Sequence, residues 1–252
     1  MPRHPSPQPT PRAVPQPVPD DRANAVLPRA EAEDGPEPAG NVVGPPPQPP
    51  RVRLLGRSAS ALRALAEQAA GCRECPLGFI GTQTVWGEGR GPARLMLVGE
   101  QPGDQEDQAG RPFVGPAGRL LDRALEELGW DREQLYITNA VKHFKYEMRG
   151  KRRLHKTPAQ KEVAACHHWL ESEIERVRPE GLVALGATAA RSLLARAVPV
   201  MAERGHWMPR ADGRPVLITL HPSALLRLRP PEREAAYGLW LEDLRLAAQL
   251  MG

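Results

Sequence analysis

Leu95-Met96-Leu97-Val98-Gly99-Glu100-Gln101-Pro102-Gly103 couples an apolar run to a turn built from glycine, proline and a carboxylate. The run is too short for a helix and lacks polar alternation, so it reads as a strand buried on both faces. Three further runs have the same character: Leu135–Val141, Gly181–Leu185 and Pro215–Leu220. Helical spacing separates them. Leu120, Leu121, Ala124, Leu125 and Leu128 mark one face of a helix over Pro116–Leu128, and other helices are expected from near Pro158, from Ala187 and from about Pro231. An amphipathic helix over Ser58–Ala70 precedes them, with Leu62, Leu65, Ala66 and Ala69 on one side. Strands alternating with helices predict an α/β fold, a three-layer α/β/α sandwich with a central four-stranded parallel sheet. No internal repeat interrupts the pattern.

The chain has 252 residues, enough for one such domain and a tail. Sixteen of its 29 prolines fall in the first 50 residues, which have no apolar periodicity. Residues 1–54 are therefore expected to be a disordered Pro-rich tail and 55–252 the folded domain. No signal-peptide core follows Met1, and no apolar stretch reaches 18 residues, so the expectation is a soluble, cytoplasmic monomer without a membrane span. The net charge of +4 is modest, but seven Lys or Arg stand against one acid, Glu147, between Lys142 and Lys156. That density suits a nucleic-acid backbone or, equally, a solvated loop.

In parallel sheets the ligand site lies beyond the carboxyl ends of the strands. Glu100, Asn139 and His221 each stand at or just past such an end. Three cysteines are too few for a disulfide framework to be the better explanation in a chain of this kind, and Cys72 and Cys75 form a C-x-x-C pair in a Gly- and Pro-flanked turn, with Cys166 far along the chain. Either a tetrahedral zinc site or an iron–sulfur cubane needs a fourth ligand beside them.

The turn after Gly99, the segment Gly110-Arg111-Pro112-Phe113-Val114-Gly115, Asn139 after Ile137-Thr138, and His221-Pro222-Ser223 occur in the order found in uracil-DNA glycosylases. From Cys72 to its C-terminus the chain resembles that superfamily, specifically the iron–sulfur family 4. The resemblance implies that Glu100 lies in the first active-site motif, that Phe113 stacks on an extruded base, that Asn139 reads its Watson–Crick edge and that His221 faces the departing uracil, with Ser223 beside it in the substrate-binding set. Such roles are chemically coherent: an enzyme cutting the glycosidic bond takes the nucleotide out of the stack. An amide can donate to a uracil carbonyl while accepting from the ring N–H, the reverse of the pattern on cytosine. Where the family has a further cysteine after the second strand, this chain has His143, so the resemblance implies a [4Fe–4S] cluster on Cys72, Cys75, His143 and Cys166. His167 and His168 are rivals for the fourth place.

Two features leave the family-4 pattern. Gln101 replaces a typical alanine, and Arg149-Gly150-Lys151-Arg152-Arg153-Leu154-His155 forms an added basic loop. Together they resemble the UdgX group. That likeness implies that His155 is a nucleophile bonding covalently to the DNA sugar, with Glu100 as its base or orienting partner, Gln101 counted with the catalytic residues, and Lys151, Arg152 and Arg153 on the DNA backbone. The expected partner is uracil-containing DNA, preferably single-stranded. A hydrolytic family-4-type glycosylase that turns over, or a non-catalytic module sensing uracil or lesions, are the alternatives.

Overall fold

The structure is a computed structural model and describes residues 57–251. The expected tail and its boundary lie outside the described residues. The helices are α1 (Arg57–Ala70), α2 (Leu77–Ile80), α3 (Asp104–Ala109), α4 (Pro116–Glu127), α5 (Gln160–Val177), α6 (Ala187–Leu194), α7 (Val200–Glu203), α8 (Pro222–Leu226) and α9 (Pro230–Arg245). The strands are β1 (Glu88–Gly89), β2 (Leu95–Gly99), β3 (Tyr136–Asn139), β4 (Tyr146–Arg149), β5 (Arg152–His155), β6 (Gly181–Leu185), β7 (Trp207–Pro209) and β8 (Pro215–Thr219).

The four apolar runs form the parallel strands β3-β2-β6-β8, as expected. The sheet has six strands rather than four, in the order β1-β3-β2-β6-β8-β7. The two additions pair antiparallel at the edges. Neither carries a sequence signal, since β1 is two residues long and β7 is three residues long and ends in a proline, which suits an edge.

Side chains alternate along the central strands between two apolar clusters. Leu95, Leu97, Val183 and Leu217 join Leu121 and Leu125 of α4 and Trp240 and Leu244 of α9. Met96, Val98, Leu182 and Val216 join Leu62 of α1, Leu170 and Ile174 of α5, and Ala189 and Ala190 of α6. Each such fully buried aliphatic side chain contributes about 1.5–3 kcal/mol, so the strand register is strongly specified.

The chain leaves β2 toward β3 on one side, and leaves β6 toward β8 on the other. The reversal opens a crevice at the carboxyl ends of β2 and β6, where parallel sheets bind ligands. A second correction concerns residues 149–155. They are not a loop: β4 and β5 form an antiparallel hairpin separate from the main sheet, with Tyr146 opposite His155 and Arg149 opposite Arg152. Gly150, at φ 60, takes the first position of its two-residue turn, where a positive φ suits glycine.

Candidate active site

Glu100 follows β2 and projects into the crevice with its side chain 22% exposed. One carboxylate oxygen accepts the Thr188 hydroxyl at 2.6 Å, from the first turn of α6. The other lies 3.4 Å from Nε2 of His155, at the end of β5. The His155 side chain is 40% exposed. Burial lowers its pKa below the usual histidine value, Glu100 opposes that shift and Arg227 adds to it. The imidazole is thus largely neutral at pH 7 and keeps a lone pair on one ring nitrogen.

Three interactions hold the hairpin in this place. Gln101 is buried; its Oε1 accepts the Lys145 N–H at 3.0 Å, and its Nε2 donates to the carbonyl of Lys156 at 3.0 Å. Gln101 therefore clasps the two ends of the hairpin stem. Arg153 donates to Asp104 at 2.5 Å and to the fully buried Asp107 at 2.6 Å, and lies over the rings of Phe144 and Tyr146. Its guanidinium is committed to α3. Lys145 and Lys156 pair with Glu162 and Glu147. At the hairpin tip Arg149, Lys151 and Arg152 are exposed.

Asn139 and Phe113 meet beside Gly99. A Cβ there would stand 2.4 Å from Asn139 Oδ1 and 2.6 Å from Phe113 Cζ, so any side chain at this position would collide with the amide and the ring. Phe113 is buried with φ 54, a left-handed backbone unusual for a bulky residue, and its ring centroid is 5.7 Å from that of His221. Close approach by Gly118 of α4, and Glu106, which accepts the N–H groups of both Gly103 and Gly115, fix the surrounding turns. Asn139 is 2% exposed and its Oδ1 has no hydrogen-bond partner. An orphaned buried carbonyl costs about 1–3 kcal/mol, a deficit that a ligand donor at this position would relieve.

His221 accepts the Ser223 N–H on Nδ1 at 3.2 Å, with the Ser223 hydroxyl 2.8 Å away. The ring proton of the neutral form then sits on Nε2. Burial pushes the His221 pKa down to about 4, with His155 and Arg227 adding to the effect, so the ring is a neutral hydrogen-bond donor at pH 7.

The cysteines gather in a third apolar cluster with Leu77, Val141 and Trp169. The Lys142 N–H points at Cys166 Sγ at 3.2 Å and the Trp169 indole N–H at Cys72 Sγ at 3.4 Å. Burial pushes the Cys166 thiol up to about 11, and Cys75 and Cys72 push in the same direction. His143 is buried, and its Nε2 is 3.0 Å from Thr84 Oγ1. That hydroxyl donates its proton to the Ala69 carbonyl, so Nε2 must donate and Nδ1 keeps a free lone pair. His167 and His168, on the exposed side of α5, face Glu171 and Glu74 instead. Among the described residues, no three His, Cys, Asp or Glu side chains are grouped to close on a single metal ion.

A cavity of about 680 Å³ is lined by Leu62, Arg63, Trp86, Arg90 and Tyr136, and includes none of Glu100, Phe113, Asn139, His155 and His221. Among the described residues no helix is long and apolar enough to cross a membrane.

A family model described as the uracil DNA glycosylase superfamily matches residues 86–245, the span that carries the whole crevice. The chain belongs to that superfamily. Among relatives of this glycosylase-family chain, a type-4 uracil-DNA glycosylase of Thermotoga maritima is 40% identical over 74% of this chain and 92% of its own length. One from Pyrobaculum aerophilum is 36% identical over 73% and 92%. A type-5 uracil-DNA glycosylase of the same organism is 32% identical over 60% and 72%. Thr188, Glu106, Arg227 and the Asp104/Asp107 pair were not singled out in the sequence. Of these only the aspartates carried a signal, two carboxylates three apart on one helical face.

Proposed function

We propose that the chain is a DNA-repair uracil-DNA glycosylase that excises uracil and is then captured on the DNA sugar through His155. The observation that carries this reading is the 3.4 Å approach of His155 to Glu100 in the crevice that also collects Phe113, Asn139 and His221. In this reading an extruded uracil stacks on Phe113, and Asn139 Oδ1 accepts from its ring N–H. The N–H of His221 Nε2 donates to a uracil oxygen as the glycosidic electron pair leaves on the base. A ring nitrogen of His155 bonds to the anomeric carbon as the glycosidic bond breaks, the remaining imidazole proton passes to Glu100 and on to solvent, and the uracil anion takes up a proton from solvent. The product is a neutral N-alkylated imidazole, a poor leaving group, so each molecule acts once.

The architecture that fits is an α/β/α sandwich. Cys72, Cys75, His143 and Cys166 form a donor set suited to a [4Fe–4S] cluster: soft thiolates, an imidazole with a free Nδ1, and N–H groups directed at two of the sulfurs. A single zinc ion needs its four donors within about 2.0–2.3 Å of one point, a closeness that the described residues lack. Bound there, the cluster would be structural, tying the end of α1 to α5 and to the segment after β3. The exposed Lys151 and Arg152 suit phosphate contacts, and the substrate is uracil in accessible or single-stranded DNA, met by a monomer.

One specific observation favours a second reading. The relatives named above are called type-4 uracil-DNA glycosylases, and a water oriented by Glu100 would give a hydrolytic enzyme with turnover. Denaturing electrophoresis after incubation with a uracil oligonucleotide separates the two: the first yields a species that survives detergent and heat, the second only abasic DNA in multiple turnovers.

A further inference from the structure

Lys142 and Glu173 are 1% and 0% exposed and lie 2.5 Å apart. The Lys142 ammonium gives its three protons to Glu173 Oε2, to the Thr138 hydroxyl at 2.7 Å and to the backbone carbonyl of Asn139 at 2.7 Å. Glu173, on α5, also accepts from the hydroxyls of Tyr136 and Thr138 and from the Gly87 N–H. Both charges are therefore fully satisfied. A buried ion pair of this kind adds little net stability over apolar residues of the same size, because desolvation offsets its attraction. Its specific consequence is geometric.

The residues after β3 are tied to β2 on one side: Ala140 N–H donates to the Gly99 carbonyl and Val141 N–H to that of Glu100. Lys142 grips the Asn139 carbonyl from the other side. With every ammonium proton committed, none remains for Asn139 Oδ1, which stays buried and unpaired beside Gly99. We infer that Lys142 and Glu173 are positioning residues for base recognition, which fix the backbone of Asn139 and keep its amide oxygen vacant for the base. The inference rests on the reading of Asn139 as the residue that meets the uracil edge.

The test uses the full chain carrying Lys142→Met together with Glu173→Gln, which leaves no unpaired buried charge. Asn139→Ala and Thr138→Val are made in parallel. Uracil release is followed under single-turnover conditions as a function of oligonucleotide concentration, beside thermal melting. A fold that persists with the half-saturating concentration raised tenfold or more supports positioning, because a merely structural role lowers the folded fraction and leaves half-saturation in place. Should the paired variant not fold, Thr138→Val, which removes one acceptor of Lys142, must raise half-saturation severalfold. An unchanged half-saturation in folded variants, while Asn139→Ala is impaired, overturns the inference alone. If Asn139→Ala is itself unimpaired, the reading of Asn139 fails and takes the inference with it.

Discussion

His155 reaches Glu100 across the crevice from a hairpin that is not part of the central sheet, with Nε2 and Oε1 3.4 Å apart. A carboxylate beside the ring can accept its proton, and removing a positioned base of this kind costs about 10²–10⁴ in rate. Glu100→Gln is accordingly expected to slow covalent capture at least 100-fold with DNA affinity retained, as measured by quench-flow and binding assays.

The same pair sets a pH dependence. Attack requires neutral His155, whose pKa is lowered from 6.5, so the fraction competent for attack is nearly complete at pH 7 and falls as pH drops through a value below 6.5. His221, at about 4, stays largely neutral down to about pH 5. Capture rates between pH 4.5 and 8.5 should give a flat upper arm and an acid limb below pH 6.5. A limb well above 7 would contradict a neutral nucleophile.

Two neighbouring arginines should behave differently. Arg153→Gln leaves the buried Asp107 without its cation, and a loss of about 3 kcal/mol or more in stability is expected, together with slowed capture. Arg152 is exposed, so Arg152→Glu should leave the melting temperature nearly unchanged and reduce the salt slope of DNA binding by about 1. Melting curves and salt titrations of the two variants provide the comparison.

These contrasts mark what the sequence made legible. The parallel strands were readable because burial on both faces leaves an unbroken apolar run such as Leu95–Val98. The edge strands were not, since Glu88-Gly89 has no pattern to read. Charge density grouped Lys142 with the hairpin arginines, yet Lys142 is buried against Glu173 from a helix 31 residues away, a pairing no local spacing reveals. Gln101 stood out as a departure, but its partners, Lys145 and Lys156, are brought to it only by the hairpin.

The close packing at Gly99 offers a further check. Gly99→Ala places a Cβ within 3 Å of Asn139 and Phe113, so uracil release should fall by 100-fold or more while affinity for uracil-free DNA is retained. Gel-shift and excision assays on the same preparation measure both.

Anaerobically purified protein is expected to contain about four irons per chain, as a cubane requires. His143→Cys should retain them and Cys75→Ala should lose them, by metal analysis and visible absorption. Stoichiometric zinc with negligible iron would exclude the cluster.

Capture by His155 is tested most directly by intact-mass analysis of denatured protein after incubation with a uracil-containing oligonucleotide. The wild-type chain should gain the mass of the oligonucleotide less one uracil molecule, since His155 loses one proton and the departing uracil anion gains one. His155→Ser should remain unmodified while releasing uracil repeatedly, because Phe113, Asn139 and His221 are intact and water can take the vacated place beside Glu100. Unmodified wild-type protein accompanied by abasic DNA, or an adduct that persists in His155→Ser, would contradict capture through His155.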